Sequence, residues 1–497
     1  VVEAVVTAPD CDVAIVGCGP VGVTLAGLLA GRGLQVVAFD REVDLYPLPR
    51  AAHLDHEVLR ILQELGAVEE VLDDVVINDG MDFLTADRQV LVSMRAAPRT
   101  TSGWPASVMF HQPSLETAMR RAAVAQGAEL RLGVAVEGVT ELDAHVQVQL
   151  SDGTSVSAAF VVGCDGARSM VRQHLDVTLN DAGFEQRWLV LDLVLHEGAE
   201  PPTPLALQVC DPARPHTLVP MPPPRFRFEF MLLPGETDDQ FNTPERVAAM
   251  VSPWLDPDDV TVERSAVYTF HGLVATPWRR GRVLLAGDAA HQMPPFLGQG
   301  MCSGLRDAVN LAWKLERVIG GVAPMALLDT YEVERAPHVQ AITDAAVFFG
   351  RMICTTDAAE AAQRDIALLA ARAQGAPPPT DDPVPPLSAG PLVLDGGGAL
   401  SVQVDVDGRR SDDVVGPRFA VVGRSTEHLG AASTWQALGA TVLDAQSHPE
   451  LHAVVDAAGG EVAVIRPDRR VLWVGHSLEP PSATLIELLG HHDGSHP

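Results

Sequence analysis

The chain has 497 residues, 47% of them hydrophobic and 20% charged, so a large core is available and global disorder is excluded. At roughly 100–200 residues per domain, that length implies two or three domains. Lys and Arg total 35 against 65 Asp and Glu, a formal net charge of −30; so acidic a surface repels phosphate backbones and anionic lipid and argues against nucleic-acid or membrane partners.

No uninterrupted apolar run approaches the roughly 18 residues of a membrane span. The opening VVEAVVTAPDCD carries no basic segment of a secretory signal. The cysteines (11, 18, 164, 210, 302 and 354) are scattered, without CxxC or metal-ligand spacing. Sparse, unpatterned cysteine suits a reducing cytoplasm, where the protein is expected to reside.

Residues 12–40 alternate strand, helix and strand: Asp12–Val16, Val21–Arg32 with Gly33 at its C-cap, and Leu34–Asp40. His53–Leu65 reads as an amphipathic helix closed by Gly66, and Pro113–Gln126 as another, with Gly127 after it. Three or four strands follow between Glu129 and Val162, turning at Asp143-Ala144 and Asp152-Gly153. From 184 to 270 alternating apolar runs (WLVLDLVLH, LALQVC, HTLVPM, FRFEFMLL) separated by Pro-rich turns predict an antiparallel sheet. Arg282–Leu285 is a strand running into GDAAH, Gly300–Ile319 a long helix, and Leu327 to Ala373 a further helical stretch. Proline-rich 375–391 reads as a flexible linker. Beyond it, strands at Phe419–Val422, Thr441–Leu443, Val462–Ile465 and Val471–Val474 predict a small α/β domain.

Gly17-x-Gly19-x-x-Gly22 lies between the first strand and helix, with Pro20 at the helix start. Glycines there permit a tight turn, close backbone approach to a pyrophosphate, and helix–strand packing, while the helix N-terminus offers free N–H groups. Asp40 ends the second strand about 20 residues on, where a carboxylate takes ribose hydroxyls. The motif itself does not separate FAD from NAD. A second motif, Leu284-Leu285-Ala286-Gly287-Asp288-Ala289-Ala290-His291, runs on to Pro294-Pro295 and Gly298-Gln299-Gly300, and a third, VVGCDGARSMVR, spans 161–172.

Together, in this order and spacing, the three motifs resemble the single-component FAD-dependent aromatic hydroxylases of the para-hydroxybenzoate hydroxylase fold, across roughly residues 10–350. PRAAHLDHEVLR (49–60), CDPARP (210–215), FEFMLLPGE (228–236), VYTFHG (267–272) and GDAAHQMPPFLGQGMCSGLRDAVNLAWKL (287–315) are similar to 3-(3-hydroxyphenyl)propionate hydroxylases and related actinobacterial and polyketide hydroxylases. The resemblance implies an α/β fold: a Rossmann-type FAD-binding domain (1–180 and 271–374), an antiparallel substrate-binding sheet (181–270), the linker, and a thioredoxin-like C-terminal domain (392–497). That last domain holds no cysteine, so a redox role for it is excluded.

The same resemblance implies a monooxygenase that uses NADPH or NADH and O₂ to hydroxylate a phenolic or polyketide ring through a flavin C4a-hydroperoxide. Baeyer–Villiger and epoxidising relatives share these motifs and stay open; the WxWxIP segment of flavin halogenases is absent, and a non-catalytic binding protein would be expected to lose the flavin-facing segments. Carried over residue by residue, Asp288 takes the ribityl chain and Arg50 and Gln112 lie near pyrophosphate and ribityl. Asp165, with Arg168 and Arg172, matches the segment associated with FAD and the nicotinamide, Arg172 reading equally as a surface cation. Arg41 flanks the adenine. Gly298, Gln299, Gly300 and Met301 face the flavin from the start of the long helix, and no catalytic triad is expected. Catalysis rests on geometry at Pro294, Pro295 and Gly298 beneath the substrate ring; Pro295 and Gly298 also contact the cofactor. His291 reads as structural, Leu311, Trp313 and Leu315 as core, and His491-His492 as no metal site.

For the substrate, aligning WLVLDLVLH with the first sheet strand turns Gln208, Met221 and Phe228 toward the ring. Gln208 is the polar member of LALQVC, either a substrate hydrogen-bonder or a strand-end amide paired to backbone. With no Arg or Lys at these three positions, a neutral phenol is expected, or one whose carboxylate is caught elsewhere. A homodimer is left open.

Overall fold

The computed structural model describes residues 8–48, 50–377 and 384–490; His491 and His492 lie outside them, as do 378–383 of the linker. The βαβ unit forms as expected: Cys11–Val16, the Pro20–Ala30 helix and Val36–Asp40. Cys11–Val16 pairs in parallel with Val36–Asp40 on one side and Ser155–Gly163 on the other. Val283–Leu285 extends the sheet in parallel beyond Ser155–Gly163, so the GxGxxG turn, the Cys164-Asp165 turn and the Gly287-Asp288 turn emerge at one sheet edge. Open parallel sheets bind ligands at the carboxyl ends of their strands.

The second large sheet is mostly antiparallel, in the order 291–292, 260–276, 178–195, 225–231, 216–220, 206–209, 80–84, 90–95. Its last two strands come from Gly80–Leu84 and Val90–Arg95, inside the stretch the sequence had assigned wholly to the first domain. One face packs Phe226, Phe228 and Phe230 with Leu189, Leu191 and Leu218 into a closed core.

Two helix boundaries moved for a local reason. The Asp55 carboxylate accepts the Val58 N–H and caps a helix that therefore begins at His56. His53–Asp55 is instead a strand paired with Ser107–Phe110. Similarly, Asp357 caps a new helix at Ala358, splitting the 327–373 stretch in two.

The C-terminal sheet runs Thr441–Asp444, Ala420–Gly423, Val462–Ile465, Val471–Gly475, with the first pair parallel and Val462–Ile465 antiparallel to both neighbours. This is the strand order and direction of a thioredoxin-like domain. It is not loosely jointed. Trp313 and Leu327 of the FAD-binding region share a core with Phe419, Val421, Val464 and Leu489. Buried ion pairs cross the same boundary: Arg60–Asp412 at 2.5 Å, Glu57–Arg470 at 2.5 Å and Glu334–Arg466 at 2.7 Å, with Lys314 also on Glu334 at 2.9 Å. Even the described end of the linker is anchored, the Pro385 carbonyl accepting from His338 Nε2 at 2.8 Å and Leu387 being buried. The flexible linker expected at 375–391 therefore leads into a docked domain, which the sequence did not reveal because the acidic and basic partners that cross the boundary stand far apart in it.

Burial alone would raise the Glu334 carboxyl, but Arg466 and Lys314 overcome it and hold the group down at about 2. A depressed carboxylate contributes stability that is complete above its ordinary 4.5 and is lost as pH falls toward about 2. Glu334→Gln is expected to unfold about 3–5 kcal/mol more easily at neutral pH. Denaturant titrations should show this deficit shrinking below pH 4.5; a deficit independent of pH would mean that the charge is not what docks the domain.

Candidate active site

At the sheet edge, Gly17 adopts φ +103°, and a Cβ there would stand 2.5 Å from the Cys164 carbonyl oxygen. A Cβ on Gly22 would meet the Gly17 carbonyl at 1.9 Å, whereas one on Gly19 would meet nothing within 4 Å. Gly19 caps the Pro20–Ala30 helix without any side-chain hydrogen bond. Gly17 and Gly22 are thus demanded by the fold, and Gly19 leaves room in front of an open helix N-terminus. Asp40 accepts from the Cys18 N–H at 2.8 Å and the Glu42 N–H at 3.0 Å, tying the second strand to this turn. Arg41 is exposed and paired with Glu42.

The Gly287-Asp288 turn is held from below. Buried Asp307 accepts from the Gly287 N–H at 3.0 Å, His291 Nε2 at 2.7 Å and Arg335 Nε at 2.9 Å. His291 is therefore structural. Arg172 donates to the carbonyls of Asp288, Ala289 and Ala167, while Asp165 accepts from the Met170 and Val171 N–H groups. Arg172 thus positions the Gly287-Asp288 turn, while Asp165 holds the start of the Met170–His174 helix through one oxygen; Arg168 is exposed. Burial raises the Asp288 carboxyl, against the pull of His291, Arg50 and Arg172. Gln112 Oε1 accepts the backbone N–H groups of Arg50 and Ala51 at 2.8 and 2.7 Å, and its amide nitrogen donates to Glu116 at 2.6 Å. Gln112 thus places the Arg50 segment through protein bonds.

Between this edge and the second sheet lies a cavity of about 430 Å³. One wall is Met293, Pro295–Met301; another is Arg50–His53, Asp55 and His56; the floor is the second sheet. Pro295, Gly298, Gln299, Gly300 and Met301 line it, but Pro294 is buried and turned away. The Gly300–Ile319 helix begins here with no side-chain cap. Gln299 itself is buried, donating to Asp55 at 3.1 Å and accepting from Arg306 at 2.9 Å. Arg306 also binds Asp55 at 2.5 Å and Glu57 at 2.6 Å, and Glu57 in turn holds Arg470.

On the floor, strand alternation decides which side chains reach the cavity. Gln208, Thr217, Val219, Arg227 and Glu229 line it. Phe228 points the other way into the aromatic core and Met221 is buried outside the lining, so of the three residues expected to face the ring only Gln208 lines the cavity, and the register expected for Phe228 is one residue out. The strand RFRFEFM carried the signal: its aromatics share one face and its charges the other. Thr217 Oγ1 donates to Gln208 Oε1 at 2.6 Å, leaving the Gln208 NH₂ with no protein acceptor among the described residues. Arg227 does bring a cation to the floor, but it is engaged by Asp192 at 2.7 Å and the Arg50 carbonyl at 2.7 Å. Glu229 is raised by burial, with Arg227 and Arg264 opposing and Asp192 adding to the rise.

These features fit the FAD that the sequence resemblance implies. Gly19 and the open helix start would receive the pyrophosphate, Asp288 and the Arg50 segment the ribityl region, and the uncapped Gly300 end an anionic ring edge. Among the described residues no cluster of His, Cys, Asp or Glu is placed to hold a metal, and no helix is long and apolar enough to cross a membrane.

A family model described as an FAD binding domain matches residues 10–346. A "Probable NADH-specific resorcinol 4-hydroxylase" of Rhodococcus jostii is 44% identical over 367 residues, covering 73% of this chain and 69% of that protein. A "3-(3-hydroxy-phenyl)propionate/3-hydroxycinnamic acid hydroxylase" of Mycolicibacterium smegmatis is 36% identical, covering 92% of this chain and 89% of that protein. Aklavinone-11 hydroxylase, solved with FAD and aklavinone, superposes with a TM-score of 0.80 over 97% of this chain and 98% of that one; at 23% identity this speaks for the fold.

Gly19→Val should fold, since its Cβ meets no protein atom within 4 Å, yet fill the space in front of the helix. Purified variant is expected to carry FAD at least about tenfold more weakly, a loss of about 1.4 kcal/mol. Flavin absorbance after denaturation measures it; full occupancy would show that the pyrophosphate lies elsewhere.

Proposed function

The chain belongs to the FAD-binding family of flavoprotein aromatic hydroxylases, FAD-dependent monooxygenases that draw on a nicotinamide co-substrate, and on that premise we propose that it hydroxylates a small phenol of the 1,3-dihydroxybenzene type, with NADH as reductant and O₂ as oxygen donor, in the cytoplasm. The observation that carries the reading is the Gln208 amide, open to the cavity on a polar floor opposite Pro295–Met301. Part of the 430 Å³ must receive the flavin ring edge, and the remainder suits one aromatic ring better than a fused polycycle. The name of the Rhodococcus relative supports both the substrate class and NADH.

Bound FAD supplies hydride acceptance and oxygen activation. The rest is the work of this chain. The Gln208 NH₂ donates to one substrate oxygen. Glu229, its carboxyl raised toward the neutral form, stands on the same floor for a second. Phe296, packed edge-on against Phe184 and Trp188, closes the wall and keeps water from the reacting ring. The N–H groups at Gly300 and Met301 favour negative charge at the facing ring edge.

Resorcinol should accelerate NADH oxidation by the FAD-loaded protein and yield a trihydroxybenzene carrying oxygen from O₂. Gln208→Leu should raise the apparent KM about five- to tenfold, the cost of about 1–1.5 kcal/mol for a lost hydrogen bond, and divert NADH to hydrogen peroxide. An unchanged KM and coupling would remove Gln208 from the site.

A further inference from the structure

The sequence-based helix had absorbed His53, but the structure places it on a strand in the cavity wall. Its ring lies against the flavin-facing segment: a Cβ on Gly298 would stand 2.8 Å from His53 Nδ1. Nδ1 is 3.3 Å from the Gly298 carbonyl oxygen, and since a carbonyl only accepts, Nδ1 carries the hydrogen and donates it. The tautomer is thereby set. Nε2 is left with a lone pair and has no protein partner among the described residues.

We propose that His53 is the catalytic base that ionises the substrate phenol, a proposal that rests on the cavity being the phenol site. The phenol O–H bond breaks, its electron pair stays on oxygen, and the proton forms an N–H bond at Nε2; no electrons are exchanged with any other group. The phenolate so made is the more electron-rich ring that hydroxylation requires.

The surroundings suit a base that is neutral when empty and tolerates a proton. Burial is the largest influence and lowers the pKa of His53; Asp55 on its own strand and the Gly298 carbonyl raise it, and Arg306 of the Gly300–Ile319 helix lowers it. Cys302 Sγ lies 3.7 and 3.6 Å from the His53 and Gly298 carbonyl oxygens. Arg50 and His56 stand on the same wall, Arg227 and Glu229 on the floor, and Arg95 and Arg99 also line the cavity. Held below its ordinary 6.5, the ring is free to accept a proton at neutral pH and loses that capacity in acid.

His53→Asn separates this role from a structural one. The Asn amide nitrogen occupies the place of Nδ1 and can still donate to Gly298, but nothing replaces Nε2. FAD-loaded wild type and His53→Asn are compared for product formation, for flavin reduction by NADH without substrate, and for the ionisation of a bound nitrophenol by difference absorbance. His53→Asn should reduce product formation at neutral pH about a hundredfold, with flavin reduction within twofold. The lost rate should return as pH nears about 10, where a phenol ionises unaided. Wild type should lower the apparent pKa of bound nitrophenol by about one unit or more, and His53→Asn should not. His53→Gln, if His53→Asn loads FAD poorly, should give the same result. Product formation or nitrophenol ionisation equal to wild type in either variant overturns the proposal alone. If wild-type protein holds FAD but no phenol accelerates NADH oxidation, the reading of the cavity falls and this proposal with it.

Discussion

Arg306 is the group on which the rest of the arrangement depends. Its guanidinium is fully enclosed by protein and satisfied by Asp55, Glu57 and Gln299. A buried cation in that position is tolerable only with its carboxylates in place, and removing one partner of such a set costs about 3–5 kcal/mol. Gln299 is the residue from which the Gly300–Ile319 helix starts, and Asp55 caps the His56–Leu65 helix. One charge cluster therefore fixes the two chain segments that form adjoining walls of the cavity. Glu57 carries the same cluster outward to Arg470 of the C-terminal domain.

That connection gives a domain without cysteines a physical role. It closes over Trp313 and Leu327, pairs with Glu57 and Glu334, and so completes the packing behind the Gly300 helix start. The cavity in front of that helix has two contrasting surfaces. The Pro295–Met301 wall is poor in side-chain polar groups, while the floor presents the Gln208, Thr217 and Glu229 row. Such a contrast positions a flat ring by its oxygens while leaving its carbon edge bare.

Much of the nucleotide-binding half was legible in the sequence because local rules govern it. Gly22 is required by its contact with Gly17 within one turn, and Gly17 takes a positive φ in that turn. Asp288 and His291 sit in one short contiguous motif, although Cys164 beside Gly17 and Asp307 beneath His291 come from other elements. The tail strands were legible for the same reason, each being a short apolar run. The cavity was harder. Gln208 stood out as polar in an apolar strand, but the face of Phe228 depended on pairing with Leu218 and Leu191, which lie far apart in the chain. His53 was hidden because HLDHEVLR has a helical period throughout, and only Asp55 acting as a cap ends the helix at His56. The Arg306 cluster draws on residues 55, 57, 299 and 470, and no spacing rule connects them.

The claim that a charge cluster couples the C-terminal domain to the active-site helix is tested most directly by native-state hydrogen exchange in Arg470→Gln. With Arg470 gone, Glu57 loses one of its two guanidinium partners and is no longer fixed from the side of the C-terminal domain. Faster exchange is expected at the Ser303–Asp307 amides, the first hydrogen-bonded ones of that helix, together with the C-terminal strands. Faster exchange confined to the C-terminal domain, with those helix amides protected as in wild type, would contradict it.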